Sequence, residues 1–159
     1  MAYGETTIRA RIKAVLEGVT NIGKVYDYER WTDDWDSLIE TFKTTINGRE
    51  QIRGWVITLQ RMTPEIIGFQ GGGVSGTLLA TYTYLVRGFL GVDDANETEK
   101  TMTALALAAA WALENDATLR SEVLEKEEPV VSELLQDYRM FGGVLCHYVE
   151  MKVQPQEVV

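Results

Sequence analysis

Apolar residues recur at helical spacing in three segments of the chain. The first segment contains Ile8, Ile12, Val15, Leu16 and Val19. The second begins at Thr32 as a cap and ends at Phe42, and the third, Met102 to Leu113, is almost entirely Ala, Leu, Met and Trp. Spacings of three and four residues place side chains on one helix face. The pattern therefore predicts three helices, the alanine-rich third being the most buried.

Runs of alternating, β-branched and aromatic residues predict about five strands. These runs are Lys24 to Trp31, Arg53 to Met62, Thr77 to Leu90, Val130 to Met140 and Val144 to Val153. Asn47-Gly48 is a turn signal before the second strand, and Gly142-Gly143 predicts a hairpin between the last two strands. We predict an α+β fold with a mixed, mostly antiparallel sheet flanked by about three helices. Residues 1–153 should form one domain, and residues 154–159 a flexible C-terminal tail.

A glycine-rich segment separates the second and third predicted strands. Thr63 to Gly76 contains five glycines in fourteen residues, which predicts a mobile loop. A phosphate-binding loop needs a Lys after its last glycine and a following helix, whereas Thr77 leads into a strand. The loop is either a plain hairpin connection or a segment that orders against a protein partner. Its candidate interface residues are Gly68, Phe69, Gln70, Gly71, Gly72, Gly73, Val74 and Ser75.

Charge argues against one class of function. The 159-residue chain has 24 acidic and 15 basic residues and a formal net charge of −9. Nucleic-acid binding depends on neutralising phosphates with Lys and Arg, so a DNA-binding module is not expected. The densest acidic group is Asp27, Glu29, Asp33, Asp34 and Asp36. These carboxylates either complement the positive end of the second helix or form a wall past which an anion slides.

The sequence offers little reactive chemistry. Cys146 and His147 are the only cysteine and the only histidine, and they are adjacent in a predicted strand. Adjacent strand side chains point to opposite faces, so a Cys-His dyad is not expected. We therefore expect no enzyme activity, no cofactor and no metal site.

The four tryptophans are all expected in the core: Trp31, Trp35, Trp55 and Trp111. The apolar runs are too short for a membrane span, and the N-terminus has no signal-peptide pattern, which favours a cytoplasmic origin.

Four segments, in the predicted order of elements, resemble the tail terminator and tail-completion proteins of long-tailed bacteriophages. They are Ile8 to Lys13, Val25 to Trp31, Gly54 to Leu59 and Thr83 to Phe89. The resemblance implies a homo-hexameric ring that caps the tail tube and joins tail to head, with the tube and head-completion proteins as partners. It also implies a virion protein, assembled in the host bacterial cytoplasm, through whose ring DNA passes.

Within such a ring, the acidic group Asp27, Glu29, Asp33, Asp34 and Asp36 is the candidate channel-facing set. Carboxylates along a channel would repel the DNA backbone and keep it from binding the wall. The alternative function is a cytosolic adaptor, or a small-ligand-binding α+β domain with a pocket between helices and sheet.

Overall fold

The computed structural model describes residues 4–30, 34–69, 76–119 and 129–158. These residues form three α-helices and seven strands, which confirms the α+β class. The helices are α1 (Glu5–Glu17), α2 (Trp35–Phe42) and α3 (Thr98–Glu114), with a short 3-10 turn at Asp94–Asn96 before α3. The strands are β1 (Lys24–Tyr26), β2 (Lys43–Ile46), β3 (Arg49–Phe69), β4 (Gly76–Gly91), β5 (Val131–Phe141), β6 (Val144–Val153) and β7 (Gln156–Val158).

The strands lie in the order β1-β3-β4-β6-β5. β1 is parallel to β3, and the other neighbours are antiparallel. β2 pairs with the start of β3 through a turn at Asn47 and Gly48, which both have positive φ. Asn-Gly is the residue pair that favours such a turn. The sheet is therefore mixed and mostly antiparallel as predicted, with β2 and β7 in addition to the five expected strands.

Helices cover both faces of the sheet. α1 and α3 share a buried cluster with Trp55, Ile57, Val149 and Met151, and we call this side of the sheet the α1/α3 face. Leu38 and Phe42 of α2 pack on the opposite side, which we call the α2 face. The N-cap of α2 is Asp34, whose carboxylate accepts hydrogen bonds from Ser37 N (3.0 Å) and Oγ (2.7 Å), and not Thr32, which lies outside the described residues.

The prediction of a long mobile loop at Thr63 to Gly76 is wrong in extent. β3 continues to Phe69 and β4 begins at Gly76, and the two remain paired to Phe69 opposite Gly76. Irregularities between Leu59 and Arg61 and between Ile66 and Gly68 mark bulges that take up extra residues without ending the ladder. Pro64 is tolerated because this part of β3 is an edge strand. The pattern indicated a loop because local glycine content does not reveal cross-strand pairing.

The prediction of a flexible tail is also wrong. β7 pairs with β4 from Leu79 to Thr81, and the Tyr82 N–H donates to the carbonyl of Pro155 (3.0 Å). Glu157 is buried and accepts a hydrogen bond from the Tyr82 hydroxyl (3.1 Å). β4 extends past the last residue of β6, so the tail covers an edge that would otherwise be open.

α3 is buried on one face only. Met102, Leu105, Ala106, Ala109 and Leu113 face the core, whereas Leu107 and Trp111 are exposed, Trp111 to 72%. The prediction that Trp111 lies in the core is wrong, while Trp55 is 1% exposed as predicted. Trp31 and the side chain of Trp35 are not described. Because alanine occurs on both faces of α3, the sequence pattern did not indicate which side packs against the sheet.

Candidate functional site

Among the described residues, one side of β3 has no strand partner over much of its length. β2 and β1 pair with β3 only as far as Val56, so from Ile57 to Phe69 the described residues provide a neighbour on the β4 side alone. We call this stretch the β3 edge. Leu59, Met62 and Ile66 are exposed there, Ile66 to 61%. They pair with Tyr84, Tyr82 and Leu78 of β4, which places all three on the α1/α3 face.

The opposite end of the sheet has a second open edge. β5 pairs with β6, and no other described strand pairs with it. We call it the β5 edge. Leu134, Tyr138 and Met140 are exposed, Met140 to 64%, and their partners Met151, His147 and Leu145 place them on the α1/α3 face. Leu145 is itself exposed. Both edges therefore present apolar side chains on the same face.

The exposed side of α3 extends the apolar surface of the β5 edge. Thr103 Oγ1 lies 3.0 Å from Gln136 Oε1, and the Val131 N–H donates to Glu114 Oε2 (3.0 Å), so α3 lies along β5. Leu107 and Trp111 follow Thr103 at steps of four residues and therefore share its side of the helix. Contiguous exposed apolar surface of this kind marks contact sites for other molecules.

The candidate interface in the glycine-rich segment is only partly described. Gly68 and Phe69 belong to β3 and pair with Thr77 and Gly76. Gln70, Gly71, Gly72, Gly73, Val74 and Ser75 lie outside the described residues. The segment therefore connects two paired strands at the tip of a β3–β4 hairpin.

The acidic candidates occupy separate positions. Asp34 caps α2, and its hydrogen bonds to Ser37 lower the pKa of its carboxyl. Asp36 is in the first turn of α2 and is exposed. Glu29 forms an ion pair with Arg87 (3.5 Å), and the backbone carbonyl of Asp27 accepts a hydrogen bond from Arg9 (2.9 Å). Asp33 lies outside the described residues.

Cys146 and His147 face opposite sides of β6, as predicted. Cys146 packs in the α2-side cluster, whereas His147 Nε2 lies 2.9 Å from Thr98 Oγ1 at the start of α3. Both side chains are buried. Burial raises the pKa of the Cys146 thiol to about 11 and lowers the pKa of His147, an effect that Glu99 partly opposes. The two groups cannot act on one substrate atom.

We expect the Cys146 thiol to be unreactive in the folded protein. At pH 8 a pKa of about 11 leaves about one thiol in a thousand ionised, against roughly one in ten for an unperturbed group. Dithionitrobenzoate should therefore react slowly with native protein and at once after unfolding in urea. Equal rates in the two samples would contradict the burial of this side chain.

None of the helices in the described part of the chain is long and apolar enough to span a membrane. No group of three or more His, Cys, Asp or Glu side chains in the same residues is placed to hold a metal ion. The open strand edges and their apolar side chains are the features from which we infer a function. Comparison with known proteins indicates no family for the chain, since no family model and no curated protein sequence matches it.

Proposed function

We propose that this chain is a structural protein of a bacteriophage neck or tail that assembles into a homo-hexameric ring. The ring caps the tail tube and joins tail to head. The observation that carries the proposal is the pair of open edges at opposite ends of one sheet. A protein with two different complementary edges forms head-to-tail contacts, which close into a ring when the rotation between copies is right.

The two edges are compatible with each other in length and direction. The β3 edge covers residues 57–69, and β5 has 11 residues. Because β3, β4, β6 and β5 alternate in direction, β5 of one copy would lie antiparallel to β3 of the next. An antiparallel ladder continues the hydrogen-bonding pattern already present inside the sheet.

The apolar side chains at the edges also support pairing between copies. Long, exposed and apolar edge strands promote association, and proteins that remain monomeric block them with charge or cover. Leu59, Met62 and Ile66 lie on the same face as Leu134, Tyr138 and Met140. Pairing of the two edges would therefore bring the two apolar rows together and remove both from water.

The polar part of the α2 face suits a channel wall. Beyond α2, this face presents charged side chains of both signs, and they form ion pairs across it. Arg87 pairs with Glu29, and Lys152 pairs with Glu133 (2.5 Å). Continuous strand pairing around a ring keeps α1 and α3 of every copy on the same side of the wall. When these helices lie on the outside of the ring, the α2 face surrounds the centre. A wall with paired charges holds no strong net attraction for a DNA backbone.

We expect substitutions at either edge to weaken assembly. Ile66→Lys on the β3 edge and Tyr138→Lys on the β5 edge each put a charge into a contact that should be apolar. Each should raise the apparent dissociation constant at least about tenfold in sedimentation velocity. Neither should change the free energy of unfolding by more than about 0.5 kcal/mol, because both positions are exposed. Ala14→Lys, on the exposed side of α1, adds the same charge away from both edges and is the matched control.

A mixture of the two variants tests the head-to-tail contact. The Ile66→Lys copy keeps an intact β5 edge, and the Tyr138→Lys copy keeps an intact β3 edge. An equimolar mixture should therefore form a dimer that neither variant forms alone, and nothing larger.

Six copies of a chain with net charge −9 carry −54 together, so wild-type assembly should also strengthen as salt screens repulsion. A wild-type monomer at every protein and salt concentration would contradict ring assembly and favour an adaptor function.

A further inference from the structure

A cleft lies between the β2–β3 hairpin and the start of α3. Its volume is about 230 Å³, and its walls include Asn47, Arg49, Gln51 and Arg53 from the hairpin with Asn96 and Thr101 on the α3 side. None of the described residues that line it is acidic. In a chain with a net charge of −9, this is a local concentration of positive charge and hydrogen-bond donors.

Arg53 is a buried cation without a carboxylate partner among the described residues. Its residue is 6% exposed, and its guanidinium donates to the Asn21 carbonyl (2.8 Å) and to Gln51 Oε1 (3.1 Å), which are both neutral. Its Nε is buried and has no hydrogen-bond partner within the described part of the chain. Buried guanidinium groups are usually paired with an anion, because removing a charge from water is unfavourable.

The local backbone holds Arg53 in place. Gly23 has a positive φ and lies so close that a Cβ there would be 2.4 Å from the Arg53 carbonyl oxygen and 2.7 Å from its Cγ. The hydrogen bond to Asn21 connects the guanidinium to the same turn. A cation fixed in this way does not need to reorganise before it binds an anion.

Arg49 adds a second positive charge at the cleft. Its guanidinium lies 3.6 Å from the Asp93 carboxylate, and both side chains are more than 40% exposed, so the pair is loose and solvated. Burial lowers the pKa of Arg53, and the positive charge of Arg49 lowers it further, which is the effect of a nearby like charge.

We propose that this cleft binds one oxyanion, a phosphate ion or a carboxylate group, through Arg49 and Arg53. The planar guanidinium matches the geometry of carboxylate and phosphate oxygens, and the side-chain amides of Asn47 and Gln51 on the walls are further donors. The oxyanion has two possible sources. It is either a free ion, or an acidic side chain of a second copy of this chain.

NMR of the full chain tests the site directly. Arginine Nε–H signals are recorded for ¹⁵N-labelled protein while sodium phosphate or sodium acetate replaces sodium chloride at constant ionic strength. Binding of a free ion should shift the Arg53 Nε–H signal saturably. If a second copy supplies the carboxylate, the same signal should shift with protein concentration in chloride alone. In either case Arg49→Gln should raise the apparent dissociation constant, obtained from the shift of the Arg53 signal, at least tenfold.

Arg11→Gln is the matched control, because Arg11 is exposed on α1 outside the cleft and outside both edges, and the substitution removes the same charge. It should leave the response of Arg53 unchanged. Arg53→Lys keeps the charge but loses the planar group. The backbone amide signal of the neighbouring Gln51 should shift on binding in the wild type and should not shift in this variant. The proposal is overturned if phosphate, acetate and protein concentration all fail to shift Arg53 Nε–H saturably. It is equally overturned if Arg11→Gln weakens the response as much as Arg49→Gln does.

Discussion

Replacing Trp55 with Ala should lower the free energy of unfolding by about 4 kcal/mol, the largest effect we expect from a single truncation. Trp55 is 1% exposed and belongs to the buried cluster that the sheet shares with α1 and α3. Its indole Nε1 donates to the Ile22 carbonyl (3.0 Å). The substitution removes the buried ring, leaves a cavity, and leaves that carbonyl without its donor.

Trp111→Ala provides the matched comparison. The same side chain is removed, but Trp111 is 72% exposed on the outer side of α3, so stability should change by no more than about 0.5 kcal/mol. Urea unfolding followed by circular dichroism gives both values without relying on tryptophan fluorescence. Equal losses for the two variants would contradict the buried position of Trp55. Trp111 lies on the side of α3 that extends the apolar surface of the β5 edge, so its truncation should weaken association while leaving the fold intact.

Replacing Gly88 with Ala should lower the free energy of unfolding by about 2 kcal/mol, because the added methyl group has no room. A Cβ at Gly88 would lie 2.6–2.8 Å from three ring atoms of Trp55. Trp55 is 1% exposed, so its ring is enclosed by close-packed neighbours and cannot turn out into solvent.

Gly91→Ala tests the same change three residues further along β4. The nearest atoms to a Cβ there belong to Ile52 at 3.9 Å, an ordinary contact distance. This variant should be neutral or gain about 0.4–1 kcal/mol, because alanine restricts the unfolded chain. The double variant Trp55→Ala with Gly88→Ala separates the clash from other causes. Once the ring is gone, Gly88→Ala should have little further effect, which corresponds to a coupling energy of about 2 kcal/mol. Additive losses would contradict the contact.

The sequence by itself predicted the three helices and the five central strands of the sheet. The periodicity of Ile8, Ile12 and Leu16 predicted α1 and its buried face, and Asn47-Gly48 predicted the turn before β3. The adjacency of Cys146 and His147 placed them on opposite sides of a strand. These features depend on residues close together in the chain, where spacing and turn preference fix the local geometry.

Only the tertiary structure decided which residues at the margins of the sheet form paired strands. Glycine content predicted a loop from Thr63 to Gly76, but pairing with β4 keeps Thr63 to Phe69 in a strand. Likewise, Gln156 to Val158 has no strand signal of its own, and becomes β7 because β4 offers an unpaired side. Strand pairing joins residues that are distant in the sequence, and a local pattern holds no information about the partner.

The candidate sites follow the same division. The sequence showed an acidic chain with little reactive chemistry, but Trp111 could be assigned to the outside only once the packed side of α3 was known. Arg53 was predicted only as the first residue of a strand, and Arg49 lay outside every predicted strand. The fold brings both beside Asn96 and Thr101 of a distant segment. Local spacing fixes the faces of helices and strands, whereas burial and the meeting of distant charges arise only from how those elements pack.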